Sequence, residues 1–311
     1  MGRSSVRCLG VREGGIHMKN RVLRRALLLL LAGVLCLAAV GCGDAGRAVV
    51  GECHGDSILQ EEYDFLTAGL DAGLSQAELR QAIEPAIIED RAILAAARAL
   101  PEPLSPESES VQAAVESGYD EAVTSSGGKK AFRAMLKERG LTEHHFRRML
   151  AIAELERLLQ AALFAGTELE TETAFAAWLK DSAHHARAER FEFASAVEAE
   201  RFLSAVSGGA DADAAVTDCG GTKRRASDFF LGLGGDAVDT AVFSLPEDGA
   251  TLSGVVRTGD GYAVYRRLPV TAAERADVAA LQGLALRDKL RNLRWESFLS
   301  PYRTNLRVNW T

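Results

Sequence analysis

The sequence predicts an α+β fold, a mainly helical frame into which a smaller βα unit is inserted. Three observations lead there. From residue 49 to 183, apolar side chains recur at helical spacing between Gly, Pro and Ser breaks. Near residue 187 the pattern changes to short strand-like runs interleaved with helical ones, and this persists to about residue 269. A helical pattern then returns and ends on an alternating tail, TNLRVNW. The expected divisions are therefore a helical domain over 49–183, an inserted βα domain over 184–269, and a helix and strand over 270–311 that return to the first domain.

The N-terminus is read separately. Met18-Lys19-Asn20-Arg21 opens a basic stretch ending at Arg24-Arg25, and an apolar run follows from Ala26 to Gly41. That run is too short to span a bilayer comfortably and has the layout of a secretory signal, so residues 1–41 are expected to be a signal peptide with Met18 as the true start. The stretch Leu37-Ala38-Ala39-Val40-Gly41-Cys42 resembles a bacterial lipobox, with Ala39 where leucine is usual. This resemblance implies cleavage before Cys42, lipidation of its thiol and a lipidated linker over 42–48. Each buried CH₂ of an acyl chain contributes about 0.8 kcal/mol, so several chains anchor stably. Gly43 stands where enteric lipoproteins carry an inner-membrane retention aspartate, which favours the outer membrane.

Without residues 1–41 the chain keeps 29 basic and 42 acidic side chains, a net charge of −13. Such a body disfavours nucleic acid as a partner. Export implies an oxidising compartment, where Cys53 and Cys219 remain. Two separate buried thiols are expected, with pairing left open.

Along the chain, VVGECHGDSILQEEYDFL reads as a strand, a turn at Gly55-Asp56 and a helix with a stripe at Leu59, Tyr63, Leu66 and Leu70. Ser75 is placed to cap a helix that Pro85 should break or kink. PEPLSPESES is a loop, and the next helix runs to about Ser126, where Gly127-Gly128 interrupts. KKAFRAMLKER is a short helix closed by Gly140, Thr142 caps a long helix through Phe164, and Thr171 caps another. RAERFEF is a strand and AVEAERFLSAV a helix. Residues 207–221, including Asp211 and Asp213, read as a solvated loop rather than a Ca²⁺ site. TLSGVVR and YAVYRRL flank Gly259-Asp260-Gly261 as a hairpin, and a helix runs from about Ala272 to Leu299.

Ordered motifs carry a resemblance. Gly51 to Ile58 followed by Glu62-Tyr63, then Ile87-Ile88-Glu89-Asp90-Arg91-Ala92-Ile93-Leu94, then Lys137-Glu138-Arg139-Gly140-Leu141-Thr142-Glu143, resemble successive motifs of SurA/PrsA/PpiD-type periplasmic foldases. Ala241-Val242-Phe243-Ser244-Leu245, Ser253-Gly254-Val255-Val256-Arg257-Thr258 and Gly261-Tyr262 resemble the parvulin-type peptidyl-prolyl isomerase domain that such foldases carry. The resemblance implies a SurA/PrsA-like chaperone frame with an inserted parvulin-like domain. Parvulins place a histidine after that Gly-Tyr, where this chain has Ala263, and a second on the first strand, where Arg190-Phe191-Glu192-Phe193 has none. Thr217-Asp218-Cys219 resembles the loop holding the pocket cysteine, Asp228-Phe229 resembles the segment after it, and the aromatic that clasps proline falls at Val238. The implied substrate-binding set is therefore Phe229, Val238 and Cys219, with Cys219 the one catalytic candidate. Phe243 matches a core position. His184 and His185 read as an exposed helix end, and His144 and His145 likewise as solvated surface.

Prolyl isomerisation crosses a barrier of about 18–20 kcal/mol and needs a dry apolar cup with polar groups that favour the twisted amide. Without the paired histidines that network is missing, so activity should be weak or absent. The expected function is a membrane-anchored lipoprotein chaperone for exported proteins, acting on unfolded or extended client polypeptides and needing no metal, small-molecule cofactor or nucleic acid. The alternatives are an active isomerase built around Cys219 and Phe229, or an accessory lipoprotein that docks one partner.

Overall fold

The computed structural model describes residues 48–311. The expected signal peptide, the Met18 start, Cys42 and nearly all of the linker lie outside the described residues. The chain forms two compact units, one reaching Gln160 and taking in Leu299–Thr311, the other Ala161–Phe298.

In the first unit, β1 (Val49–Cys53) and β2 (Asp56–Leu59) form a hairpin. Its two loop residues, His54 and Gly55, both have positive φ (52° and 86°), which suits the right-handed twist of the flanking strands. The last strand, β7 (Val308–Trp310), pairs antiparallel with the other side of β1, giving the order β2-β1-β7. The tail, whose alternation predicts a strand, thus pairs with the first strand.

Five helices follow the hairpin: α1 (Gln60–Thr67), α2 (Gln76–Arg98), α3 (Glu109–Ser125), α4 (Lys129–Glu138) and α5 (Glu143–Phe164). Ser75 closes a capping box with Glu78, and the Thr142 hydroxyl accepts from the His145 backbone N–H at 2.9 Å. Pro85 does not divide α2, which runs through it without a break. Burial of Ile83, Ile87, Ala92 and Ile93 on both sides of the proline offsets the one hydrogen bond it removes.

The core of this unit joins Cys53, Ile58, Ile83, Ile87, Ala92 and Leu306, with Tyr63, Leu66 and Trp310 packed around it. The stripe on α1 is therefore core, except that Leu70 lies beyond the helix end and is exposed. Charged groups are buried beside it. Arg91 reaches both carboxylate oxygens of Glu62 at 3.0 Å and the Ser57 carbonyl at 3.1 Å. Glu61 is also buried and accepts from the Thr142 hydroxyl and pairs with His144. His145 departs from expectation: its helical position faces inward, where it is 5% exposed with its ring 5.2 Å from that of Phe65.

The second unit opens, after the end of α5, with α6 (Glu172–Leu179), capped by Thr171. Then come β3 (His185–Phe193), α7 (Ala196–Ser207), α8 (Ala212–Asp218), β4 (Thr222–Phe230), α9 (Asp236–Phe243), β5 (Val256–Thr258) and β6 (Gly261–Leu268). The helix α10 (Ala272–Thr304) begins here and ends in the first unit. The sheet is antiparallel in the order β4-β3-β6-β5. The helix α6 and most of α10 group with this sheet rather than with the first unit, because Phe164, Leu169, Phe175, Leu179, Phe230, Val278 and Leu290 form one cluster.

Residues 207–221 are not wholly loop. Asp211 accepts from the Ala214 N–H at 3.0 Å and starts α8, whose alanines favour a helix. Asp213 pairs with Lys223 at 2.8 Å and with Arg266 at 3.1 Å. Cys53 and Cys219 are free thiols, both buried. Among the described residues no helix is long and apolar enough to cross a membrane.

Candidate functional site

The two faces of the second sheet are different. Because side chains alternate along a strand, Phe191 and Phe193 of β3 and Val264 of β6 share one face. There they pack with Ala199 and Phe202 of α7 and with Val216 of α8. Cys219, at the end of α8, belongs to this cluster, and its carbonyl accepts from Arg201 at 2.8 Å.

The opposite face carries Ala186 and Ala188 of β3, Ala263 and Tyr265 of β6, and Phe229 of β4, with Val238 and Val242 of α9 packed against them. The structure therefore brings Phe229, Val238 and Ala263 together and seats Cys219 in the other cluster. Phe243 lies at the edge of the Ala263 cluster, with the Arg267 guanidinium over its ring at 5.6 Å.

Around Ala263 this second face is packed: Ala263 and Val242 have no exposed surface, and Tyr265 is 1% exposed with its ring 5.7 Å from that of Phe229 and nearly perpendicular to it, while Phe229, Val238 and Phe243 at its border are partly buried. The motif order gives no sign of Tyr265, although the alternation in YAVYRRL places it on the Ala263 face.

The polar groups near Ala263 come from β3, β4 and β5. Register sets Glu192 opposite Ala263 and Arg190 opposite Tyr265. Arg190 pairs with Glu192 at 3.0 Å, and Glu192 also accepts from Arg224 at 2.6 Å. On β5, the Thr258 hydroxyl is buried without a hydrogen-bond partner. Burial raises the phenol of Tyr265 above its ordinary range. Neither a guanidinium nor that phenol exchanges a proton near neutral pH.

Histidines enter only at His184 and His185 in this unit, and both correct the surface assignment. His185 is the first residue of β3 and is fully buried, stacked on Phe230 at 5.1 Å with Nε2 3.1 Å from Asp228. His184 is half-buried and stacks on Trp178 at 4.3 Å. The chain leaves its helix earlier than expected, at Leu179, so the strand alternation already governs His185. His185 does not reach Ala263. The strand position beside Ala263 is Glu192, seven residues on and therefore about 23 Å along β3, and odd-numbered β3 positions face away from Ala263.

No protein-family profile matches the chain, and no curated protein matches it. Solved structures do. The chain is similar to a structure reported for PEB4 and Cj1289, SurA-like chaperones of Campylobacter jejuni, with 12% identity over 85% of this chain and 99% of the other and a TM-score of 0.33. It is also similar to the peptidylprolyl isomerase PrsA from Bacillus cereus, with 13% identity, 83% and 90% coverage and a TM-score of 0.37. PrsA from Bacillus anthracis gives 15% identity, 71% and 95% coverage and a TM-score of 0.35.

Proposed function

We propose that the protein is a chaperone of exported proteins, held at the periplasmic face of a bacterial outer membrane by lipid on Cys42, whose parvulin-like unit binds or braces without isomerising proline. One observation carries the second half of this reading. The face holding Ala263 is occupied by its own side chains, Phe229 against Tyr265, and no imidazole of the unit faces it. A catalyst of amide rotation needs both an open apolar cup and polar groups poised for the twisted amide. Cys219 lies in the cluster on the opposite face, so it is poorly placed to substitute for them.

The client-holding half rests on the ordered foldase motifs of the helical frame and on apolar surface left open. Leu281, Leu284 and Leu293 on α10 are exposed, Leu281 at 84%. Clients are unfolded or extended polypeptides, and neither nucleic acid nor a small-molecule cofactor has a role. The test is aggregation of a chemically unfolded client diluted into buffer. The chain at stoichiometric concentration should slow light-scattering growth severalfold; unchanged aggregation would remove the chaperone reading. Labelling with a radioactive fatty acid, lost in Cys42→Ala, tests the anchor.

A further inference from the structure

The strand β7 is an edge of the first sheet, and its register fixes where its backbone groups point. Trp310 stands opposite Gly51 and Asn309 opposite Glu52, and the Thr311 N–H donates to the Val50 carbonyl at 3.1 Å. In an antiparallel ladder, hydrogen-bonded rungs alternate with rungs whose N–H and C=O turn outward. Residues 309 and 311 are on the bonded rungs. Val308 and Trp310 therefore present their N–H and C=O away from β1, and among the described residues no other strand lies on that side.

Beside this edge is a cleft of about 420 Å³ lined by Gln76, Ala77, Arg80, Gln81 and Glu84 of α2 and by Trp310. Its floor is an aromatic and cationic stack, with the Arg80 guanidinium over Trp310 at 5.1 Å and Trp310 edge-on to Tyr63 at 5.9 Å. The Arg80 guanidinium also donates to the Thr311 carbonyl at 3.0 Å, and its Nε is buried without a partner. The wall carries one cation, one anion and two amides, so the space is polar but close to neutral.

We propose that β7 and this cleft accept an uncharged extended segment of another polypeptide, added as a fourth strand to the sheet. An exposed edge binds a strand through main-chain hydrogen bonds, and an adjoining cleft then takes alternate side chains. The charge of the wall selects the occupant: one cation, already engaged by the Thr311 carbonyl and the Trp310 ring, and one anion leave no net charge to pair with, and Gln76, Gln81 and the Trp310 ring meet uncharged side chains. A second copy pairing edge to edge through β7 is the competing occupant, and the test separates it. The inference rests on the client-holding reading only for the source of the segment, and its test reads β7 directly, so it stands or falls apart from aggregation.

The probe is a capped peptide, acetyl-Thr-Val-Thr-Val-Thr-Val-Thr-amide, titrated into the full chain with amide hydrogen exchange followed residue by residue. Saturating peptide should slow exchange at Val308 and Trp310 at least tenfold and leave Asn309, already bonded to β1, unchanged. Val308→Pro removes an outward N–H and should weaken binding at least tenfold while Asn309 keeps its protection. Ala77→Trp, on the exposed wall of α2, fills the cleft without touching the ladder and should weaken binding similarly. Binding unaffected by both variants, or protection absent at Val308 and Trp310, overturns the proposal. Protection that rises with protein concentration before peptide is added also overturns it, in favour of self-pairing.

Discussion

Replacing Arg91 by Met tests how the first unit holds its buried charge. Arg91 is 1% exposed and Glu62 2%, and the two share paired hydrogen bonds, each 3.0 Å. Removing the guanidinium leaves the Glu62 carboxylate buried with only Arg148, at 3.8 Å, for compensation, and strips the Ser57 carbonyl of a donor. Breaking a buried pair from one side costs about 3–5 kcal/mol, because the remaining charge keeps its desolvation penalty. Replacing both partners by apolar groups removes that penalty, so Glu62→Leu combined with Arg91→Met should cost far less than Arg91→Met alone. The assay is urea unfolding followed by Trp310 fluorescence, with Trp178 and Trp295 replaced by Phe. At an m-value of about 2 kcal/mol/M, the single variant should lower the midpoint by about 2 M. A single variant within about 1 kcal/mol of wild type, or a double variant as unstable as the single, would show that the Arg91–Glu62 pair does not hold this core.

Burial, and then the Glu62 carboxylate, push Asp90 up to about 7 against the opposing pull of Arg91 and Arg148. The folded chain therefore holds a proton that the unfolded chain releases, and this contribution to stability grows as pH falls from 8 through 7. Asp90→Asn should flatten the rise in melting temperature between pH 8 and 6.5, and a slope like that of wild type would count against it. The window stops at 6.5 because buried His145, held below its ordinary value by desolvation, loses stability as pH falls further. In the β5–β6 hairpin, Gly261 has φ +143° and an added Cβ would lie 2.6 Å from the Phe193 carbonyl oxygen, whereas nothing lies within 4 Å of one at Gly259. Gly261→Ala should cost about 1–3 kcal/mol in thermal unfolding and Gly259→Ala much less; equal costs would contradict the register.

What was legible in the sequence was local. Ser75 with Glu78, Thr142, Thr171 and Gly140 announce helix ends because a cap is a short-range hydrogen bond or a positive φ. The Gly259-Asp260-Gly261 hairpin and the strand character of the tail follow from alternation. What escaped was set by distant partners. The strand β4 reads TKRRASDFF, charged because it is an edge, so its pattern carries little strand signal. Pro85 reads as a break or a kink, and α2 runs through it undivided because the hydrophobic burial that sustains the helix comes from the other elements of its core. At the candidate site, Ala263 without histidine was visible from motif order. Whether the face was open was not, since Phe229 and Tyr265 meet across two strands 36 positions apart.

If the unit grips without turnover, a protease-coupled assay of cis–trans isomerisation in a short proline peptide will register no catalysis. The full chain should leave the relaxation rate at its uncatalysed value at every enzyme concentration. A rate that rises in proportion to the chain, and survives removal of contaminating isomerases, would contradict the closed face built around Ala263.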